Sequence, residues 1–289
     1  HSEVDAATVF FPVSEARRIR AVPPPDFFNF AGFFDHFGSL RFCLRSIGVI
    51  HFAGILDHTG SMPEVSEGLY KAIEVKGTDA ERFLQGQLTQ DVGRIPESGS
   101  LPAAWCNPKG RVIVTLAVCR LADGFALVVP ASMCDRTLER LTMYRLRADV
   151  ALTMLDDLPE LDAIDPDPAA LIQAGIPVVD ASNSESFTPH MLNLDKLGAI
   201  SFEKGCYTGQ EVVARTEHLG KSKRRMMRYA ADGDGIAVGD KLSDGDRNVG
   251  DVVNVSGREL LAVTPIELHD RTLARSDIRL TPLGLPYAL

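Results

Sequence analysis

The chain has 289 residues, 45% hydrophobic and 24% charged, with a net charge of -9 and a pI near 5.3. This is ordinary globular composition, long enough for one large or two modest domains. The acidic balance argues against a general nucleic-acid coat, although a local basic patch stays open, and no apolar run approaches the roughly 18 residues of a membrane span.

The first 60 residues hold ten of the fourteen phenylalanines and the run Pro23-Pro24-Pro25, and they sustain neither helical nor strand periodicity. The start, His1–Asp5, lacks the charged region and apolar core of a signal peptide, and Met62 precedes the first well-patterned segment. Residues 1–65 therefore read as an N-terminal extension. It is either a loosely ordered natural segment or the product of a mis-assigned start.

From Leu69 the pattern is regular. Tyr70–Val75 alternates as a half-buried strand, and Thr78 or Asp79 can cap a helix through Phe83 and Leu84. Pro102–Cys106 is expected to be a strand, Asn107-Pro108-Lys109-Gly110 a turn, and Val112–Leu121 a buried strand. Phe125–Val129 follows as another strand, then an amphipathic helix over 132–146 and a closing strand over Val150–Leu155. Residues 156–170, with Asp165-Pro166-Asp167-Pro168, read as a linker or boundary, and a short helix follows at Ala169–Ala174. After Lys221, short apolar runs alternate with the turns Asp232-Gly233, Asp234-Gly235 and Asp244-Gly245, as in a small antiparallel β domain. The fold class expected is α+β. Its parts are 66–158, 159–220 and a C-terminal domain at 221–289.

The five cysteines (Cys43, Cys106, Cys119, Cys134 and Cys206) are odd in number and show no CxxC spacing. No disulfide framework is expected, and a reducing, cytoplasmic setting fits. The seven histidines show no HxH or HExxH spacing, so no zinc enzyme is indicated and no stable metal is expected.

The segment Lys204-Gly205-Cys206-Tyr207-Thr208-Gly209-Gln210-Glu211 resembles the signature of the YgfZ family. Phe83–Val92, Cys106–Arg111, Ala174–Pro177, Phe187–Pro189 and Pro282–Tyr287 line up in the same order, so the resemblance covers roughly residues 66–289. That family is similar in fold to the T-protein of the glycine cleavage system, a tetrahydrofolate-dependent aminomethyltransferase. The resemblance implies a folate-binding cavity in the α+β region and a C-terminal β-barrel. It also implies a role in making or repairing iron–sulfur proteins, including enzymes that modify tRNA.

Three departures bear on activity. Val114 and Thr115 stand where T-proteins carry an acidic pair, which argues against aminomethyl transfer. Gln173 stands where T-proteins grip the pterin with a glutamate; an amide offers one acceptor and one donor instead of a charged acceptor pair. The chain is also short between Leu155 and Leu171, where longer relatives carry a further sheet-and-helix segment.

Cys206 is the expected reactive thiol. Lys204 lies two positions before it and a helix start follows, and both stabilise thiolate. Such a thiolate can attack an electrophile, form a mixed disulfide or transiently ligate iron; a buried structural cysteine is the plainer alternative. Lys204 is expected to lower that thiol's pKa or to meet a ligand carboxylate. Gly205, Tyr207, Gly209, Gln210, Glu211, Gln173 and Arg215 complete the expected ligand set. Tyr207 can stack or simply pack, and Arg215 is expected to pair with a carboxylate on its own helix face. Cys106, beside Lys109 and Arg111, offers a second thiol. Iron–sulfur client proteins are the expected partners. Lys221, Lys223, Arg224, Arg225 and Arg228 form a basic run that can meet tRNA or a tRNA-modifying enzyme, or can merely guard a strand edge.

Overall fold

The computed structural model describes residues 68–159, 167–220, 222–245 and 247–289. The expected N-terminal extension, part of the 156–170 boundary and Lys221 lie outside the described residues. Five antiparallel strands form one sheet: β1 (Tyr70–Lys76), β2 (Ser100–Cys106), β3 (Val112–Leu121), β4 (Gly124–Pro130) and β5 (Ala151–Leu155), in the order β2-β3-β4-β1-β5. Alternation sorts their side chains between two faces. Ile73 opposite Leu127 faces one side, and Ala72 opposite Val128 the other.

Two helices cover the first face. Helix α1 (Ala80–Gln87) buries Ala80, Phe83 and Leu84, and α2 (Cys134–Tyr144) buries Cys134, Thr137 and Leu141. This is the i, i+3, i+4, i+7 spacing of an amphipathic helix. Asp79 precedes α1 but does not cap it; its carboxylate accepts from the amide of Asp149, joining the helix entry to the approach of β5. Helix α3 (Pro168–Ala174) opens with Asp167 accepting from the Ala169 amide and Pro168 in its first turn. It ends at Gly175 with φ 66°, the left-handed stop that glycine favours.

Residues 175–209 form no regular element, yet Val179, Phe187, Leu192, Leu194 and Ile200 are buried against both the sheet and the barrel that follows. Such a segment needs side chains to satisfy its backbone. Asn183 donates to the carbonyls of Val178 and Val253, and Asn193 donates to the carbonyl of Met226. Helix α4 (Gln210–Leu219) then leads into a closed six-stranded antiparallel barrel. Its strands are β6 (Arg224–Ala231), β7 (Lys241–Asp244), β8 (Arg247–Ser256), β9 (Glu259–Pro265), β10 (Leu273–Arg275) and β11 (Ile278–Leu283). Closure leaves no free strand edge, and Tyr229, Leu242, Val252, Leu260 and Leu280 fill the interior. The α+β expectation and the C-terminal β-barrel both match what is observed.

Candidate functional site

The last carbonyls of any helix lack intrahelical partners. At the end of α1 the signature loop supplies them. Lys204 Nζ donates to the carbonyls of Gln85 at 2.8 Å, Leu88 at 2.7 Å and Gln90 at 2.7 Å, and the Thr208 amide donates to Gly86 at 3.2 Å. A cation at a helix C-terminus also meets the negative end of the helix dipole. Lys204 is 8% exposed, and burial lowers its pKa to about 8. Its ammonium lies 5.2 Å from the centre of the Tyr207 ring. All three of its N–H groups thus serve backbone carbonyls, and the Cys206 thiol is not among its hydrogen-bond partners.

The loop leaves Cys206 on the surface. Gly205 beside it is exposed as well, with open space where a Cβ would be. Tyr207 turns inward; burial, then the nearby Cys106, raises its phenol well above the ordinary value. Gln210 Oε1 accepts from the Tyr207 amide at 3.3 Å, which closes the turn into α4. Gly209, at φ 83°, packs on the β2–β3 hairpin turn. Glu211 and Arg215 pair with each other one helical turn apart on the exposed face of α4, as their spacing suggests.

Cys106 lies beneath Gly209, and burial pushes its thiol up to about 12. The hairpin turn is held from the far side by Glu185, which sequence reading missed. Its carboxylate accepts from Asn107 at 2.7 Å, Arg136 at 2.9 Å and Arg140 at 3.1 Å. The Asn107 hydrogen bond, helped by the two guanidiniums, draws the Glu185 pKa down. Nothing in its local sequence marks it, since its partners come from β2–β3 and α2.

A cavity of about 390 Å³ opens elsewhere, between the ends of β1 and β4, α3, the 176–180 segment and the barrel. Leu171, Ile172 and Val178 give it apolar walls, with Tyr70, Asp180 and Asn254 as polar groups. None of the signature residues lines it. Gln173 is exposed on α3 and does not line it either, although its neighbours Leu171 and Ile172 do. Val114 is fully buried in the helix-side core. Thr115 Oγ1 donates to the Pro177 carbonyl at 3.3 Å and accepts from the Val179 amide at 2.9 Å. The fold therefore uses both positions structurally.

The basic run is largely neutralised within the fold. Arg224 meets Asp251 at 2.6 Å, Arg225 grips both oxygens of Asp195 at 2.7 and 3.0 Å, and Arg228 meets Glu259 at 2.8 Å. Lys223 is exposed.

No protein-family model matches the chain. Two curated relatives are each described as tRNA-modifying protein YgfZ. The one from Enterobacter sp. (strain 638) is 29% identical over 254 residues, covering 65% of this chain and 77% of the relative. The one from Klebsiella pneumoniae (strain 342) is 30% identical with the same coverage. Among solved structures, glycine cleavage system aminomethyltransferase T from Bartonella henselae matches with a TM-score of 0.60 at 16% identity. That match covers 76% of this chain and 84% of the other, and it shows that the fold is the T-protein fold. With that fold, and 30% identity across more than three quarters of the Klebsiella relative, the chain belongs to the YgfZ family.

Proposed function

We propose that this chain is a folate-binding accessory protein of iron–sulfur cluster assembly or repair that supports iron–sulfur enzymes, tRNA-modifying ones among them, through the Cys206 thiol. The observation that carries the reading is the construction of the signature loop. Its neighbours Lys204, Thr208 and Gly209 anchor it to α1 and to the hairpin, while Cys206 itself faces solvent. A rigidly presented surface thiol suits reaction with a group carried by another macromolecule, as nucleophile or as transient iron ligand.

The cavity is where a folate would bind in this reading. Apolar walls of Leu171, Ile172 and Val178 suit a planar ring, and the Asp180 carboxylate, whose Oδ1 already accepts from Ser182, keeps its Oδ2 to accept from the ring's N–H edge. Folate supplies a one-carbon carrier when bound. Aminomethyl transfer is disfavoured, because Val114 and Thr115 are packed into the fold where a proton-transferring carboxylate would be needed. The names of the relatives support a link to tRNA modification. Direct contact with tRNA would rest on Lys223 more than on Arg224 or Arg225, which already hold carboxylates.

The test is complementation of a strain lacking its own family member, with the activity of an iron–sulfur enzyme as readout. The wild-type chain is expected to rescue and Cys206→Ser to fail at equal protein level. Equal rescue by both would end the thiol role, and failure of the wild type would end the iron–sulfur assignment.

A further inference from the structure

We propose that His190, Asp195 and Glu217 form a site for one divalent cation of the zinc class. One donor atom from each residue lies within 4.8 Å of the other two. Metal–ligand bonds of about 2.0–2.2 Å place the ligand atoms of a single ion roughly 3–4.4 Å apart, so small side-chain shifts complete the geometry. All three residues line one cavity between α4 and the start of the barrel.

Two features distinguish this group from a chance meeting of acidic side chains. His190 is 2% exposed; its Nε2 lies 2.9 Å from Glu217 Oε2, while the buried Nδ1 has no hydrogen-bond partner. A neutral imidazole carries one proton for two nitrogens; with that proton on Nδ1, the Nε2 lone pair faces Glu217, where an ion can take it. Asp195 is oriented from behind by Arg225, which grips both oxygens and leaves each a further lone pair. Outer partners of this kind are typical of ligating carboxylates.

One imidazole and two carboxylates select a zinc-class ion over calcium or magnesium, which prefer all-oxygen sets. Arg225 and Lys196 on the same cavity offset part of the negative charge, so the affinity expected is modest. The ion would tie the turn after Pro189 to α4, the helix that begins directly after the signature loop. This inference does not depend on the function proposed for Cys206.

The metal-free full chain is titrated with Co²⁺, followed by visible absorption, and then challenged with Zn²⁺. One equivalent is expected to bind, with d–d absorption but no thiolate charge-transfer band, and Zn²⁺ is expected to displace it. His190→Gln and Glu217→Gln should each weaken binding at least tenfold with an unchanged circular dichroism spectrum, while Cys206→Ser binds as the wild type does. Should His190→Gln fail to fold, Glu217→Gln alone decides. The proposal is overturned by wild-type affinity in Glu217→Gln, by no bound Co²⁺, or by a charge-transfer band that Cys206→Ser abolishes.

Discussion

Gly209 approaches Asn107 so closely that a methyl group on its α-carbon would lie 2.5 Å from the Asn107 carbonyl oxygen and 3.2 Å from Cys106 Cβ. The signature and the β2–β3 hairpin are therefore one packed joint, although they lie far apart in sequence. Gly209→Ala faces both this clash and a left-handed φ of 83°. The backbone term alone is about 1–2 kcal/mol, and the clash adds to it. Thermal melting should show a clear fall in midpoint, whereas Gly205→Ala, where a Cβ meets open space, should melt close to the wild type. A Gly209→Ala protein that melts like the wild type would refute this joint.

Lys204→Met removes the donor for three carbonyls, Gln85 in the last turn of α1 and Leu88 and Gln90 just after it. A buried acceptor left without a partner costs about 1–3 kcal/mol, so a loss on the order of 3 kcal/mol or more is expected in denaturant unfolding. Amide hydrogen exchange should quicken first near residues 84–90. If Lys204 served only the thiol, stability would hold and only the reactivity of Cys206 would change.

Thiol labelling should separate the cysteines by environment. Cys206 is exposed, while Cys106, Cys119 and Cys134 are buried and burial pushes the Cys106 thiol up to about 12. At neutral pH an alkylating reagent should modify Cys206 rapidly and these three only on unfolding, as peptide mass spectrometry would show. Modification of Cys106 in the folded chain at a similar rate would contradict this picture.

Glu185 makes the joint sensitive to acid. Its folded pKa lies below the ordinary 4.5 because Asn107, Arg140 and Arg136 favour the carboxylate. The unfolded state binds a proton first as pH falls, so this contribution is whole above about pH 4.5 and is lost as pH drops through the folded value. Stability curves of the wild type and Glu185→Gln should converge on acidification. Parallel curves between neutral pH and pH 3 would show that Glu185 carries no such linkage.

The regular elements were legible because their signals are local. Alternation marks β1, an apolar run after the Asp123-Gly124 turn marks β4, an amphipathic pattern marks α2, and Gly175 marks the end of α3. The 175–209 segment was not legible as structure: it has no period, and its backbone is satisfied by Asn183 and Asn193 reaching distant carbonyls. At the site, the eight-residue signature drew attention to Cys206, which the fold does expose. The partners of Lys204 could not be read, because the carbonyls it meets lie 114–119 positions earlier. Arg224 and Arg225 read as a basic surface because Asp251 and Asp195 are adjacent only in three dimensions.

The dependence of α1 on Lys204 gives the chain an order of completion. A growing polypeptide can lay down the first hairpins and both early helices, but the carboxyl end of α1 stays unfinished until residue 204 has emerged. Long-range closure of this kind slows folding. It also means that the thiol is displayed on its anchored loop only once the two halves of the molecule have met, so a truncated or half-folded chain lacks the anchored display of Cys206.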